Sequence, residues 1–86
     1  MAYILKVDGS EEPIEGKLTL TKIQKGIGGY FEILPTTSEL IMLVDEDGHS
    51  KNLPVNPKAT ELVSPRVGVT RGILGNVIIA TRKEMD

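Results

Sequence analysis

Between Lys51 and Lys58 the chain places two asparagines, Asn52 and Asn56, and two lysines within eight residues, with Pro54 and Pro57 stiffening the backbone. A carboxamide offers a donor and an acceptor to the edge of a base, and an ammonium group offers a point charge to a phosphate. Upstream, Gly26, Gly28 and Gly29 run into Tyr30. A glycine loop can bring backbone donors close to phosphate oxygens, and an aromatic ring beside it is a platform on which a base can stack. All three arginines, Arg66, Arg71 and Arg82, fall in the last 21 residues, and Arg66 and Arg71 flank the segment Val67 to Thr70. Tyr30, Lys51, Asn52, Asn56, Arg66 and Arg71 therefore make a candidate ligand-binding set for a small anion that carries bases.

Each of these residues also suits a structural role. The dinucleotide fingerprint follows a strand and opens a helix, whereas these glycines close one, so they also read as a helix C-cap and a tight turn. Tyr30 also reads as an amphipathic residue with its ring on the core and its hydroxyl in water. Asn56 before Pro57 is a good helix N-cap followed by proline in the first turn. A solvated face is the default for any single arginine.

Catalytic and metal chemistry have less to draw on. There is no cysteine, which excludes disulfides, thiolate metal sites and cysteine nucleophiles. His49 is the sole histidine and has no evident metal partner. Asp45 and Asp47 alternate as in a calcium loop, but the glycine position of that pattern falls on Ser50 and the bidentate glutamate position on Asn56. A hydrolase reading would rest on His49 and the nearby carboxylates alone. The expectation is a non-enzyme with no cofactor and no metal.

The elements that must position these residues follow from pattern. Tyr3 to Val7 reads as a strand ending at Asp8-Gly9, and Ser10 to Gly16 as an acidic loop or a poor edge strand. Leu20, Ile23 and Ile27 share a helical face, and Thr21 with Gln24 matches a capping box, which predicts a short helix over Thr21 to Lys25. Tyr30 to Leu34 is strand-like and ends at Pro35. Glu39 to Val44 reads as a buried strand. Asp45 to Gly48 reads as a hairpin turn into a returning strand, Ser50 to Val55. Lys58 to Leu62 supplies a helical turn. The tail holds Val67-Gly68-Val69 and the run Ile73 to Ala80 and supplies one or two strands: Val77-Ile78-Ile79 reads as a central strand, with Gly75-Asn76 a turn or bulge just before it. Residues 82–86 are charged and expected to fray. Strands with helices inserted between them predict an α+β fold: a small, mainly antiparallel sheet with one short helix and a helical turn, in a single domain over residues 1–86.

Composition bounds the function. Twenty-five isoleucine, leucine and valine residues stand against one phenylalanine and two tyrosines, so the core is aliphatic. A chain of 86 residues hides only roughly 60–65% of its unfolded surface, so a partner or a second copy would add needed burial. Net charge is −2, which argues against duplex DNA binding driven by charge. The apolar runs are too short for a membrane span, and no signal peptide opens the chain.

Lys25 to Glu32, Val44 to Pro57 and Leu74 to Ala80 together resemble a family of small phage- and plasmid-encoded proteins classed as a domain of unknown function. The shared features are an N-terminal strand, a helix closing in Gly-Gly-Tyr, an acidic-Gly hairpin leading to a Leu-Pro-x-Asn segment, and a final Gly-x-x-apolar strand. By analogy of genomic setting, the resemblance implies a non-catalytic immune-evasion protein of the host bacterial cytoplasm. Such a protein would sequester a cyclic-nucleotide second messenger, as sponges directed against CBASS or Thoeris defence do, with the pocket shared in a homo-oligomer. The alternative is a protein-interaction module that inhibits a host enzyme through an exposed sheet edge. Arg66, Arg71 and Tyr30 converging on one concavity would favour the nucleotide; their dispersal would favour a protein partner.

Overall fold

The computed structural model describes residues 2–67 and 72–85. Five strands form one sheet: β1 (Tyr3–Leu5), β2 (Glu11–Pro13), β3 (Phe31–Pro35), β4 (Ile41–Asp45) and β5 (Val77–Ala80). Their spatial order is β2-β1-β5-β4-β3, and every neighbouring pair is antiparallel. Among the described residues, two α-helices accompany the sheet, α1 (Leu20–Ile27) and α2 (Pro57–Leu62). This is the α+β architecture expected, with α2 as the helical turn.

The last strand in sequence lies at the centre of the sheet. All four residues of β5 and all five of β4 are buried, because the sheet is covered on both faces. Alternation then sorts side chains into two layers. Leu43, Ile41, Ile78 and Ala80 pack with Ile23 and Ile27 of α1, while Met42, Val44, Val77 and Ile79 pack with Ala59, Val63 and Ile73 beneath α2. A helix of eight residues is marginal alone, so α1 holds through burial of its apolar face, which is worth about 1.5–3 kcal/mol per large aliphatic side chain.

Helix α1 is longer than the predicted Thr21 to Lys25 and has a different cap. Thr19 Oγ1, not Thr21, accepts the hydrogen bond from the Lys22 amide, at 3.2 Å. Leu18 just before the cap and Ile23 four residues into the helix are buried in the same layer, which is the hydrophobic-staple arrangement. That staple moves the cap two residues upstream, from Thr21 to Thr19, and turns Leu20 out to solvent. Gly28 stops the helix in left-handed geometry, φ 98°, and its amide donates to Gln24 O at 2.7 Å.

The predicted hairpin after Asp45 is not formed. Residues 46–52 wind in turns, with Lys51 N donating to Asp47 O and Leu53 N to Gly48 O. Val55 makes only an isolated bridge to Leu74. No returning strand can lie beside β4, because β3 and β5 already occupy its two edges. The central strand expected at Val77-Ile78-Ile79 is observed as Val77–Ala80, and the turn expected at Gly75-Asn76 precedes it: Gly75 takes φ 78° and its amide donates to Pro54 O at 2.7 Å. Ser10 to Gly16 contains β2, the poor edge strand of the two readings. Arg82–Met85, expected to fray, is a 3-10 turn in which the Thr81 amide and hydroxyl donate to Glu84 and Met85 packs on the core. Of the segment Val67 to Val69, Gly68 and Val69 lie outside the described residues, and Pro65–Val67 is a 3-10 turn. No helix among the described residues is long and apolar enough to cross a membrane.

Candidate functional site

Among the described residues, Tyr30, Lys51, Asn52, Asn56 and Arg66 do not converge on one concavity. Tyr30 follows shortly after the α1 C-cap, Gly28, and the residue is 71% exposed. Its backbone oxygen accepts from Glu46 N at 3.1 Å. Lys51 Nζ is 2.8 Å from Asp45 Oδ2 and 3.3 Å from Gly28 O. The Asp45 side chain is almost fully buried and also accepts from Asp47 N at 2.8 Å. Lys51 thus ties the end of β4 to the carbonyl end of α1, where the helix dipole favours a cation. Two of its three donors are committed before any phosphate arrives. Asn52 is exposed and ends the turn segment at φ 53°, a conformation asparagine tolerates.

Asn56 is no ligand group. It is completely buried, and every hydrogen-bonding atom of its amide has a protein partner. Oδ1 accepts from Ala59 N at 3.1 Å, and Nδ2 donates to Leu5 O and Gly75 O at 2.9 and 3.0 Å. The N-cap reading of the sequence is the one realised. Arg66 is exposed on the turn after α2, near the Pro35 end of β3, since Ser64 N bonds Pro35 O. Lys51 is held at Asp45, opposite Phe31 at the other end of β3. At about 3.3 Å per residue, the length of the strand separates them by roughly 13 Å. Arg71 lies outside the described residues.

A groove of about 380 Å³ opens instead on the α2 side of β3 and β4. Leu34, Val44 and Leu74 line it together with Glu32, Glu46 and His49. Its charged residues, among those described, are carboxylates. That lining repels an anion and suits a cation. No serine, threonine or cysteine lines it among the described residues. No described group of three metal-ligating side chains comes together anywhere. In the sequence, His49 and the nearby carboxylates suggest only a turn tip or a hydrolase, and Glu32 and Leu34 are missed. The available signal was the spacing of Glu32 and Leu34, which places both on one face of a strand.

The sheet has two edges of different character. β2 is short, carries Glu11 and Glu12, and ends at Pro13, which has no amide to offer. These are features that blunt an edge. Among the described residues, no backbone group pairs with the outer edge of β3 along Phe31 to Ile33. Pro35 O accepts from Ser64 N on the outer side, while Tyr30 O accepts from Glu46 N on the β4 side. Backbone direction alternates along a strand, so the amide and carbonyl of Phe31 and of Ile33 point outward. Thr37 N donates to Leu62 O, so the segment 62–64 covers the far end of this edge only. Ile33 is 47% exposed beside the free groups.

The chain belongs to the family described as "Domain of unknown function (DUF3846)", whose profile matches residues 1–86. No curated protein and no solved structure matches it.

Proposed function

We propose that this chain is a protein-interaction module whose open β3 edge receives an extended segment of another protein. The observation that carries the reading is the outward-facing backbone of Phe31 and Ile33, flanked by the exposed side chains of Tyr30 and Ile33. Strand addition draws affinity from main-chain hydrogen bonds and specificity from side-chain pockets. It needs no catalytic residue. The test is capture of a host protein by wild-type chain, compared with Ile33→Pro, which lacks the outward amide, and Ile33→Lys, which keeps the amide but places a charge at the edge. Capture lost in both folded variants, with slowed amide exchange at Phe31 and Ile33 in the complex, supports the reading. Unchanged capture, or unchanged exchange at those amides, refutes it.

A second reading is favoured by the exposed Tyr30 following two residues after Gly28, whose carbonyl Lys51 Nζ meets at 3.3 Å: a non-catalytic binder that sequesters a cyclic-nucleotide second messenger in a phage-infected bacterium, as a homo-oligomer in the host cytoplasm. The base would stack on the exposed Tyr30 ring. A nucleotide that binds only the folded chain raises its melting temperature, by about 2.7 kcal/mol of apparent stability at a hundred times its Kd. A panel of cyclic di- and trinucleotides and cyclic ADP-ribose variants that leaves the melt of wild type unmoved removes this reading. So does a shift that survives in Tyr30→Ala.

A further inference from the structure

The open edge runs between two grooves, one on each face of the sheet. On the α2 side is the groove bordered by Glu32, Glu46 and His49 over Leu34 and Leu74. On the α1 side Ile33, Ile41 and Met85 line a second groove of about 270 Å³ together with Arg82. Glu32 and Ile33 are consecutive residues of β3, so their side chains point to opposite faces. A strand laid along Phe31 to Ile33 would likewise send alternate side chains into the two grooves.

Register follows from the backbone. Phe31 and Ile33 carry the outward hydrogen-bonding groups, so an antiparallel partner's residue opposite Glu32 falls in a non-hydrogen-bonded pair, where the side chains approach most closely. Like charges directly opposite one another are destabilising and opposite charges stabilising. A second copy pairing β3 with β3 to use the same outward groups would place Glu32 against Glu32. The edge therefore selects against itself and against acidic strands.

Resting on the strand-addition reading, we infer that the partner is an extended segment with a basic side chain, arginine or lysine, seated between Glu32 and Glu46, and apolar side chains on either side of it turned onto Ile33, Ile41 and Met85. The groove's aliphatic wall of Leu34, Val44 and Leu74 suits the methylene stem of such a residue while its charged head meets the carboxylates. An arginine would pair with a carboxylate through parallel hydrogen bonds.

The experiment is selection of a randomised peptide library on the whole wild-type chain, followed by mapping of the selected peptides on its backbone amides by NMR. Selected peptides that shift the Phe31 and Ile33 amides and carry arginine or lysine between apolar residues support the inference. They should bind about tenfold more weakly to the Glu32→Gln, Glu46→Gln double variant, the loss expected for a charge-assisted pair. Both glutamates are exposed, so the variant keeps the fold. Peptides that shift the same amides without basic enrichment, or bind the double variant equally well, overturn the basic-partner inference and leave the edge reading standing. A selection in which no peptide shifts the Phe31 or Ile33 amides overturns both.

Discussion

The side-chain amide of Asn56 donates to the carbonyl oxygen of Leu5 at 2.9 Å, across fifty-one residues of chain. The same nitrogen reaches Gly75 O, and the oxygen on the other side of the carboxamide caps α2 through Ala59 N. One buried side chain therefore ties β1, the approach to β5 and the start of α2 together.

Asn56→Ala leaves two buried carbonyls and one helix amide without partners, and it should cost about 3–5 kcal/mol. Asn56→Asp keeps the acceptor that caps the helix but has no amide to donate, so it should be about as damaging. Chemical denaturation of the two variants separates capping from donation. Wild-type stability in Asn56→Asp would mean that the bonds to Leu5 and Gly75 contribute nothing.

Lys51 and the buried Asp45 form the second tie, at 2.8 Å. Lys51→Met strands a desolvated carboxylate and should destabilise by about 1–3 kcal/mol. Adding Asp45→Asn removes the stranded charge, so the double variant should be less damaged than the sum of the two single changes. A double-mutant cycle by thermal melting measures this. Strict additivity would show that the two groups do not act on each other.

Two glycines of α1 should respond to alanine for different reasons. At Gly28 an added Cβ meets nothing within 4 Å, but φ is 98°, so Gly28→Ala should cost about 1 kcal/mol in backbone strain. At Gly26 the backbone is helical and alanine gains propensity. Its Cβ, however, would lie 3.2 Å from Ile4 Cδ1 and 3.3 Å from Ile78 Cδ1. Gly26→Ala should therefore destabilise until Ile4→Val removes one of the opposing methyls. Stability measured with and without Ile4→Val decides this; no relief in the pair would point away from crowding.

Glu84 sets part of the acid limb of stability. The Thr81 amide, and with it the Thr81 hydroxyl, donates to its carboxylate and holds its pKa below the ordinary glutamate value of 4.5. A lowered folded-state pKa adds stability above the unfolded value and loses it as pH falls through the folded one. Glu84→Gln should thus melt lower than wild type near neutrality, and the two curves should draw together below pH 4.5. A constant gap across that range would remove the carboxylate from the explanation.

Local sequence determined much of this protein. The apolar run from Ile41, the Val77-Ile78-Ile79 triplet, the Asn56-Pro57 helix start and the glycine stop of α1 all act through neighbours in the chain, through propensity, capping and alternation. Those features suffice to predict a small antiparallel α+β sheet. Tertiary structure decided what local pattern could not. It placed the last strand between β1 and β4, which removed the edge a hairpin after Asp45 would have needed. It buried Asn56 against carbonyls from distant segments, spending on the fold an amide that looked free for a ligand. It paired Lys51 with Asp45, held Arg66 at the other end of β3, and gathered Glu32, Glu46 and His49 around one groove. A residue's type sets which bonds it can make, but its distance to partners remote in sequence sets which of them it does make, and that distance exists only once the sheet has closed.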